Sequence, residues 1–245
     1  VLGEYGMGKT VTCQRLYREL SEAREAGGAP SWMRLPVYLD LRESRSIKSQ
    51  DRHRTSPLPR VDAFIDDLFA NGWRVEPGES PPTCDDLRRW LREGALLILD
   101  GLDECLVHLD ENQHGDLLRM LLSLLTDALP REERPERAPH AASKQRIAPR
   151  LLVSCRTNFF KTLSDQRNLF TGYRRGKIDA EWYESRVLLP LNDAQIQRYL
   201  ETVVPTLPIE QTMRLVRETH NLGELAQRPM TLKLLAEYIP ELEAE

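Results

Sequence analysis

The sequence lacks several features by which whole classes of protein are recognised. No apolar run approaches the roughly 18 residues typical of a membrane-spanning helix, although 40% of the 245 residues are hydrophobic. Its four cysteines include no Cys-x-x-Cys pair, so we predict reduced core thiols, which suit a cytoplasmic protein. A formal net charge of −4 gives no global reason to expect nucleic-acid binding. We find no internal repeat.

A glycine-rich segment near the start has the spacing Gly-x-x-x-x-Gly-Lys-Thr. Glycines let the backbone fold around phosphates with its N–H groups pointing inward, and a helix starting at Lys9 would add its positive N-terminal end. Lys9 is then expected to neutralise the β- and γ-phosphates, and the Thr10 hydroxyl to ligate Mg²⁺. The alternative is a glycine-rich turn before an ordinary helix. The predicted nucleotide-binding residues here are Gly3, Glu4, Tyr5, Gly6, Met7, Gly8, Lys9, Thr10 and Val11.

Apolar periodicity predicts alternating helices and strands over most of the chain. The aliphatic run that ends in Asp100 is typical of a central parallel strand, because helices cover both of its faces. The alternation predicts an α/β fold with a parallel sheet. Because Val1 lies only two residues before the loop, we expect the strand feeding the loop to begin upstream. Predicted strands cover residues 35–41, 95–100, 151–154 and 186–189, and predicted helices start in the loop and cover residues 61–70, 85–92 and 114–129.

After Pro190 the pattern indicates helices alone. Asn192 is a predicted N-cap, with Gln195 three residues later to complete a capping box. Pro229 is placed to open a later helix at its first position, where its missing N–H costs nothing. Met213 and Val216 belong to a second helix. The predicted buried stripe of the first helix is Ile196, Tyr199, Leu200 and Val203.

Two polar segments without any period are predicted to be exposed loops. Residues 42–60 form a mainly basic excursion, and residues 131–149 are rich in Pro, Arg, Glu and Ala, so we expect a mobile insertion there. The alternative for both is a contact surface for nucleic acid or a partner. We predict a core domain over residues 1–190, including this insertion, and a helical module over residues 191–245.

A second group of candidate residues follows the strand that ends at Asp100. Ligands of open α/β sheets bind at the carboxyl edge of the strands, so Asp100 is expected to hold Mg²⁺ through water. Asp103 or Glu104 would orient or deprotonate the attacking water. Arg156 follows the next strand and would read the γ-phosphate at the same edge. The alternatives are a strand that reaches a turn and a surface arginine that caps a strand end.

Two other ligands are disfavoured. His108, Asp110 and His114 suggest a metal site, but the irregular loop offers no fixed ligand geometry, so we predict ordinary polar residues. No Asn-Lys-x-Asp segment occurs in the chain, which disfavours guanine nucleotides.

Together these residues resemble a NACHT domain of the signal-transduction ATPases with numerous domains, the STAND class. The most specific element is the small Gly101 after the metal-binding Asp100, with further acids two and three residues beyond it. The resemblance covers nearly the whole chain and rests on residues 3–10, 36–41, 100–104, 152–156 and 225–235.

The resemblance implies a fold and a function. The fold would be a three-layer P-loop NTPase sandwich with a five-stranded parallel sheet in the order 5-1-4-3-2, followed by a small helical domain. Arg156 would be the nucleotide sensor, and Pro229 would contact the base. ADP would hold the molecule closed, whereas exchange for ATP with Mg²⁺ would open it and drive homo-oligomerisation, and slow hydrolysis would reset it. Effector and sensor domains would lie outside this chain.

Two other functions stay open. A nucleotide-locked interaction scaffold without turnover is one, although the presence of both Asp103 and Glu104 disfavours it. A P-loop phosphotransferase is the other, and it would need an acceptor site and a lid that the sequence does not show.

Overall fold

The computed structural model describes residues 1–48, 57–128, 148–160, 184–205, 207–219 and 221–244. These residues divide into two compact units, Val1 with Thr10–Ser185 and Leu2–Lys9 with Arg186–Glu245. Of the two predicted loops, residues 49–56 and 131–147 lie outside the described residues. The exposed-loop prediction is wrong for residues 42–48, which contain a 3₁₀ turn (Leu41–Glu43) and a short helix (Arg45–Lys48). Ser44 and Ile47 are fully buried there, and the Ser44 hydroxyl donates to Asp67 at 3.0 Å. The predicted boundary between residues 1–190 and 191–245 stays a prediction.

A three-stranded parallel sheet organises the first unit, as the aliphatic runs predict. Its order is β1-β2-β3, and Asp40 at the end of β1 is paired with Asp100 at the end of β2. All five residues of β2 are buried, which confirms its central place. The strands are β1 (Pro36–Asp40), β2 (Leu96–Asp100) and β3 (Arg150–Val153).

Helices follow the predicted positions closely. The first helix begins at Lys9, as the loop spacing predicts, and the helix expected from residue 114 begins at Glu111. Thr83 and Asp86 form a capping box that starts α4. The helices up to β3 are α1 (Lys9–Glu25), α2 (Arg45–Lys48), α3 (Val61–Gly72), α4 (Cys84–Arg92), α5 (Leu102–Leu106) and α6 (Glu111–Ala128), with short 3₁₀ turns at Leu41–Glu43 and Thr157–Phe159.

The second unit is helical after the loop. The predicted capping box starts α7, since the Asn192 and Gln195 side chains each accept a bond of 3.0 Å from the other's backbone N–H. Pro229 is the first residue of α10, as predicted. The helices are α7 (Asp193–Val203), α8 (Ile209–Glu218), α9 (Leu222–Ala226) and α10 (Pro229–Ala244). Their shared core is Ile196, Leu200, Val204, Met213, Val216, Ala226, Leu232, Ala236 and Ile239.

One residue of the predicted buried stripe of α7 is wrong. Val203 is 46% exposed, whereas its neighbour Val204 is only 5% exposed. The helix ends at Val203, and Val204 leaves the helical conformation with φ of −121° and ψ of 59°. Helical spacing therefore no longer decides which side chain turns inward.

The predicted buried strand over residues 186–189 is also wrong. Among the described residues it is reduced to one parallel bridge between Leu2 and Val187, because the partner segment turns into the glycine loop directly after Leu2. Val187 and Leu189 are exposed, at 48% and 77%. Strand β3, predicted to be buried, is only partly so. The described sheet has three strands, and the five-stranded order stays a prediction.

The four cysteines, Cys13, Cys84, Cys105 and Cys155, are buried thiols that form no disulfide, as predicted. No helix within the described ranges combines the length and apolar character needed to cross a lipid bilayer.

Candidate functional site

The glycine-rich loop adopts a conformation that requires its glycines. Gly6 and Gly8 have φ of 78° and 83°, a backbone region that residues with a Cβ rarely adopt. A Cβ built on Gly3 would lie 3.3 Å from the Cβ of Met7, which is tighter than most such contacts. The loop therefore has the compact form by which backbone N–H groups can surround an anion.

The Lys9 ammonium is folded back over this loop. Its Nζ donates to the carbonyl oxygens of Gly3 and Glu4 at 2.9 and 3.1 Å. An ammonium group carries three donors and can exchange carbonyl partners for phosphate oxygens. The geometry thus keeps a positive charge at the first turn of α1, where the helix dipole also favours anions. Tyr5, another loop residue, is 60% exposed.

The start of α10 lies against the same loop. The Met230 N–H donates to the Gly6 carbonyl at 3.2 Å. A Cβ on Gly8 would lie 3.8 Å from Cγ of Pro229, in ordinary van der Waals contact. The structure thus brings Pro229 to the glycine-rich loop, whereas local sequence signals alone indicated only the start of a helix.

An ion pair adds to this contact. Arg228 Nη2 lies 3.1 Å from Oε2 of Glu4, and the two side chains are 41% and 62% exposed. Pairs this exposed contribute little to stability. The backbone bond from α10 to the loop is the firmer connection between them.

Asp100 is buried at the end of β2 with hydroxyl groups on both of its oxygens. Ser154 Oγ donates to Oδ1, and the Tyr38 hydroxyl donates to Oδ2 at 3.1 Å. The Gly101 N–H in turn donates to Ser154 Oγ at 2.9 Å. These partners come from β1 on one side and from the residue after β3 on the other, so the two neighbouring strands orient the carboxylate.

Burial and negative charge keep two neighbours of Asp100 protonated. The pKa of Tyr38 is raised by burial, by the charge of Asp100 and by that of Asp40. Burial and then the charge of Asp100 raise the pKa of Cys13 to about 12. Both side chains are therefore neutral at physiological pH.

A positive charge lies beside this carboxylate. Asp40 accepts bonds from Arg42 Nε at 2.8 Å and Nη2 at 2.6 Å, and Arg42 Nη2 is 3.8 Å from Oδ2 of Asp100. The hydrogen bond to Asp40, with the negative charges of Glu104 and Asp100, raises the pKa of Arg42. Sequence reasoning missed Tyr38, Asp40 and Arg42 as neighbours of Asp100. The sequence contained one indication of this proximity, because two predicted parallel strands each include an Asp near the end, Asp40 and Asp100.

The predicted catalytic acids follow Asp100 in a short helix. Gly101 has φ of 81° and precedes α5, whose first turn contains Asp103 and Glu104. Asp103 pairs with Arg156, whose Nε lies 2.8 Å from Oδ2. Glu104 is half-buried and lines a cavity of about 230 Å³. The structure therefore brings Asp103 and Arg156 together, which the sequence did not indicate.

The oxygen donors of the first unit match the preference of Mg²⁺. Asp100 offers a carboxylate and the partly buried Thr10 a hydroxyl, which are the hard ligands that this ion takes. Val11, a predicted nucleotide-binding residue, is 67% exposed.

The histidine of the disfavoured metal site has a backbone neighbour. His114 Nε2 lies 2.9 Å from the Leu106 carbonyl oxygen. Among the described residues, no group of three or more His, Cys, Asp or Glu side chains is placed to hold a metal.

A search of curated proteins finds no match to the chain. A comparison with protein-family models does find one, and it agrees with this geometry. A family model described as the NACHT domain matches residues 1–135, more than half of the chain, and includes the phosphate loop and the acids after β2. Arg156 and Pro229 lie beyond the matched part. On this match, together with the loop and the buried strand-end carboxylate, the chain belongs to the NACHT domain family.

Proposed function

We propose that this NACHT domain is an ATP/ADP-binding signalling switch in which slow, Mg²⁺-dependent hydrolysis controls self-association. Family membership already makes it a nucleotide-binding P-loop NTPase. The observation that carries the proposal is the 3.2 Å hydrogen bond from Met230 N–H to the Gly6 carbonyl. A phosphate loop bonded to the first turn of α10 can pass a change of bound nucleotide to the helices of its unit.

The proposed binding roles follow the loop. Backbone N–H groups of residues 3–10 hold the phosphates, and the Lys9 ammonium neutralises their charge. Pro229 contacts the base, in keeping with its place against Gly8. Thr10 and Asp100 would hold Mg²⁺, which would offset the negative charge of the phosphates.

The proposed catalytic roles belong to the acids of α5. Asp103 or Glu104 orients or deprotonates the attacking water, and Arg156 senses the γ-phosphate. We favour Glu104 as the base, because it is half-buried beside a cavity, whereas the Arg156 backbone N–H holds Oδ1 of Asp103 at 3.1 Å in addition to the guanidinium contact with Oδ2.

The same ion pair also supports a second candidate, a nucleotide-locked scaffold without turnover. If Asp103 is held by Arg156 throughout, hydrolysis depends on Glu104 alone. Phosphate release from bound ATP separates the candidates. A switch releases phosphate slowly, and Glu104→Gln slows it further while nucleotide affinity is kept. A scaffold releases none.

Nucleotide binding by a Lys9→Ala variant tests the site. Loss of the ammonium should lower ATP affinity by about 10- to 100-fold or more, the value of a charged hydrogen-bond donor. Lys233→Ala, which removes an exposed ammonium from α10, is the matched control and should bind as the unchanged chain does. Equal ATP affinity in all three proteins, measured by titration calorimetry, contradicts the site assignment.

A further inference from the structure

We infer that Tyr38 and Ser154 are positioning residues that fix the carboxylate of Asp100 for its role toward Mg²⁺. This inference rests on the proposed function and adds two residues to it. Both act through Asp100, because their hydroxyl groups contact its oxygens.

Tyr38 reaches Asp100 from the neighbouring strand. It is paired with Ile98, two residues before Asp100 along β2, and its hydroxyl donates to Oδ2 at 3.1 Å. Its ring packs on that of Tyr17 with 6.0 Å between centroids. The packed ring holds the hydroxyl in place at one side of the carboxylate.

Ser154 approaches from the other side with a hydroxyl whose direction is set. Its backbone N–H donates to the Leu99 carbonyl at 2.9 Å, and its side chain is fully buried. Its Oγ accepts the N–H of Gly101 at 2.9 Å. A serine hydroxyl has a single hydrogen, so with Oγ as the acceptor of that bond, the hydrogen is free to point to Oδ1 of Asp100.

Neutral donors orient a carboxylate without cancelling its charge. Asp103, by contrast, pairs directly with a guanidinium at 2.8 Å. Arg42 is 3.8 Å from Oδ2 of Asp100, beyond hydrogen-bond range. Asp100 thus forms hydrogen bonds with two hydroxyl groups, and its ion pair with Arg42 is longer than that of Asp103 with Arg156. Hydrogen-bond partners of a metal-binding carboxylate orient it and tune its metal affinity.

The test compares the Mg²⁺ requirement of nucleotide binding in Tyr38→Phe and Ser154→Ala. Each variant should need about 10- to 100-fold more Mg²⁺ to reach half-maximal affinity for a fluorescent ATP analogue, because partners of metal ligands carry this much affinity. Affinity in EDTA should stay unchanged. The electron paramagnetic resonance spectrum of Mn²⁺ bound with the nucleotide should also change, which a purely structural role does not predict.

Matched controls remove equivalent hydroxyls elsewhere. Tyr17→Phe keeps the aromatic pair with Tyr38, and Ser123→Ala removes a hydroxyl that donates to the Met120 carbonyl within α6. Both should match the unchanged chain in Mg²⁺ requirement. Ser154→Thr restores a hydroxyl and should recover most of the loss.

Three outcomes decide the inference. If Asp100→Asn raises the Mg²⁺ requirement while Tyr38→Phe and Ser154→Ala do not, the positioning roles are wrong and the proposed function stands. If the unchanged chain shows no Mg²⁺-dependent nucleotide binding, both fall. If Ser154→Ala does not fold, as judged by circular dichroism, Tyr38→Phe alone decides.

Discussion

Arg156 holds Asp103 through both its side chain and its backbone. The Nε atom lies 2.8 Å from Oδ2, and the Arg156 N–H donates to Oδ1 at 3.1 Å. The Asp103 side chain is only 6% exposed, while that of Arg156 is 36% exposed. The Arg156 guanidinium therefore offsets much of the cost of burying the Asp103 carboxylate.

This dependence predicts a loss of stability when the arginine side chain is removed. Arg156→Ala should lower the free energy of unfolding by about 1–3 kcal/mol, because it removes the guanidinium that pairs with a buried carboxylate. The exposed pair of Arg217 with Asp193, also a close contact at 2.7 Å, is the control. Arg217→Ala should cost about 0–1 kcal/mol.

Urea unfolding of the single and double variants measures the coupling. Asp103→Asn combined with Arg156→Ala should cost less than the sum of the two, because the carboxylate that needed compensation is gone. Strict additivity would show that the pair contributes nothing.

The positive φ at Gly8 predicts a selective loss of nucleotide binding in Gly8→Ala. Gly27, just after α1, has φ of 72° with nothing within 4 Å of an added Cβ, whereas Gly8 has φ of 83° and an added Cβ there would lie 3.8 Å from Cγ of Pro229. Both substitutions should destabilise by about 1–2 kcal/mol through backbone strain. Only Gly8→Ala should also weaken ATP binding, as measured by calorimetry on the folded variants. Equal ATP affinity in the Gly8→Ala and Gly27→Ala variants would show that ATP binding does not depend on the loop conformation.

Two buried thiols predict a decline of stability at alkaline pH. Burial raises the pKa of both Cys13 and Cys84 from 9.0 to about 12. Between these values the unfolded chain loses protons that the folded chain keeps, so the unfolding free energy falls as pH rises. One retained proton contributes a slope of at most about 1.4 kcal/mol per pH unit.

Urea unfolding of the unchanged chain and of Cys84→Ala, at pH 8 and pH 10, checks this. The variant starts from a lower stability but should lose less of it between the two pH values. A variant that loses as much as the unchanged chain would show that Cys84 does not contribute.

Sequence signals predicted most helices and strands because each of these signals is local. The glycine spacing, the aliphatic run before Asp100 and the capping box at Asn192 act over a few residues. Contacts across the sheet were out of reach. Tyr38 and Asp100 are 62 residues apart, and Arg156 is 53 residues from Asp103. Such partners depend on strand register, which one sequence does not determine. The site residues themselves stay predictions.

The proposed switch predicts that self-association depends on the bound nucleotide. ATP, and not ADP, should raise the mass of the protein in light scattering, because Arg156 is proposed to sense the γ-phosphate that ADP lacks. Binding a γ-phosphate would draw the guanidinium toward a second anion and away from Asp103. The proposal therefore predicts that the pair of Arg156 with Asp103 opens when ATP binds.

Arg156→Ala should then remove both the ATP-dependent mass and the preference for ATP over ADP in binding. Arg217→Ala, which breaks an exposed pair on α8, should leave both unchanged. Equal masses with the two nucleotides in the unchanged chain would refute the switch but not nucleotide binding. If the masses differ but Arg156→Ala keeps the difference, the switch stands, and the γ-phosphate is read by a group other than this arginine.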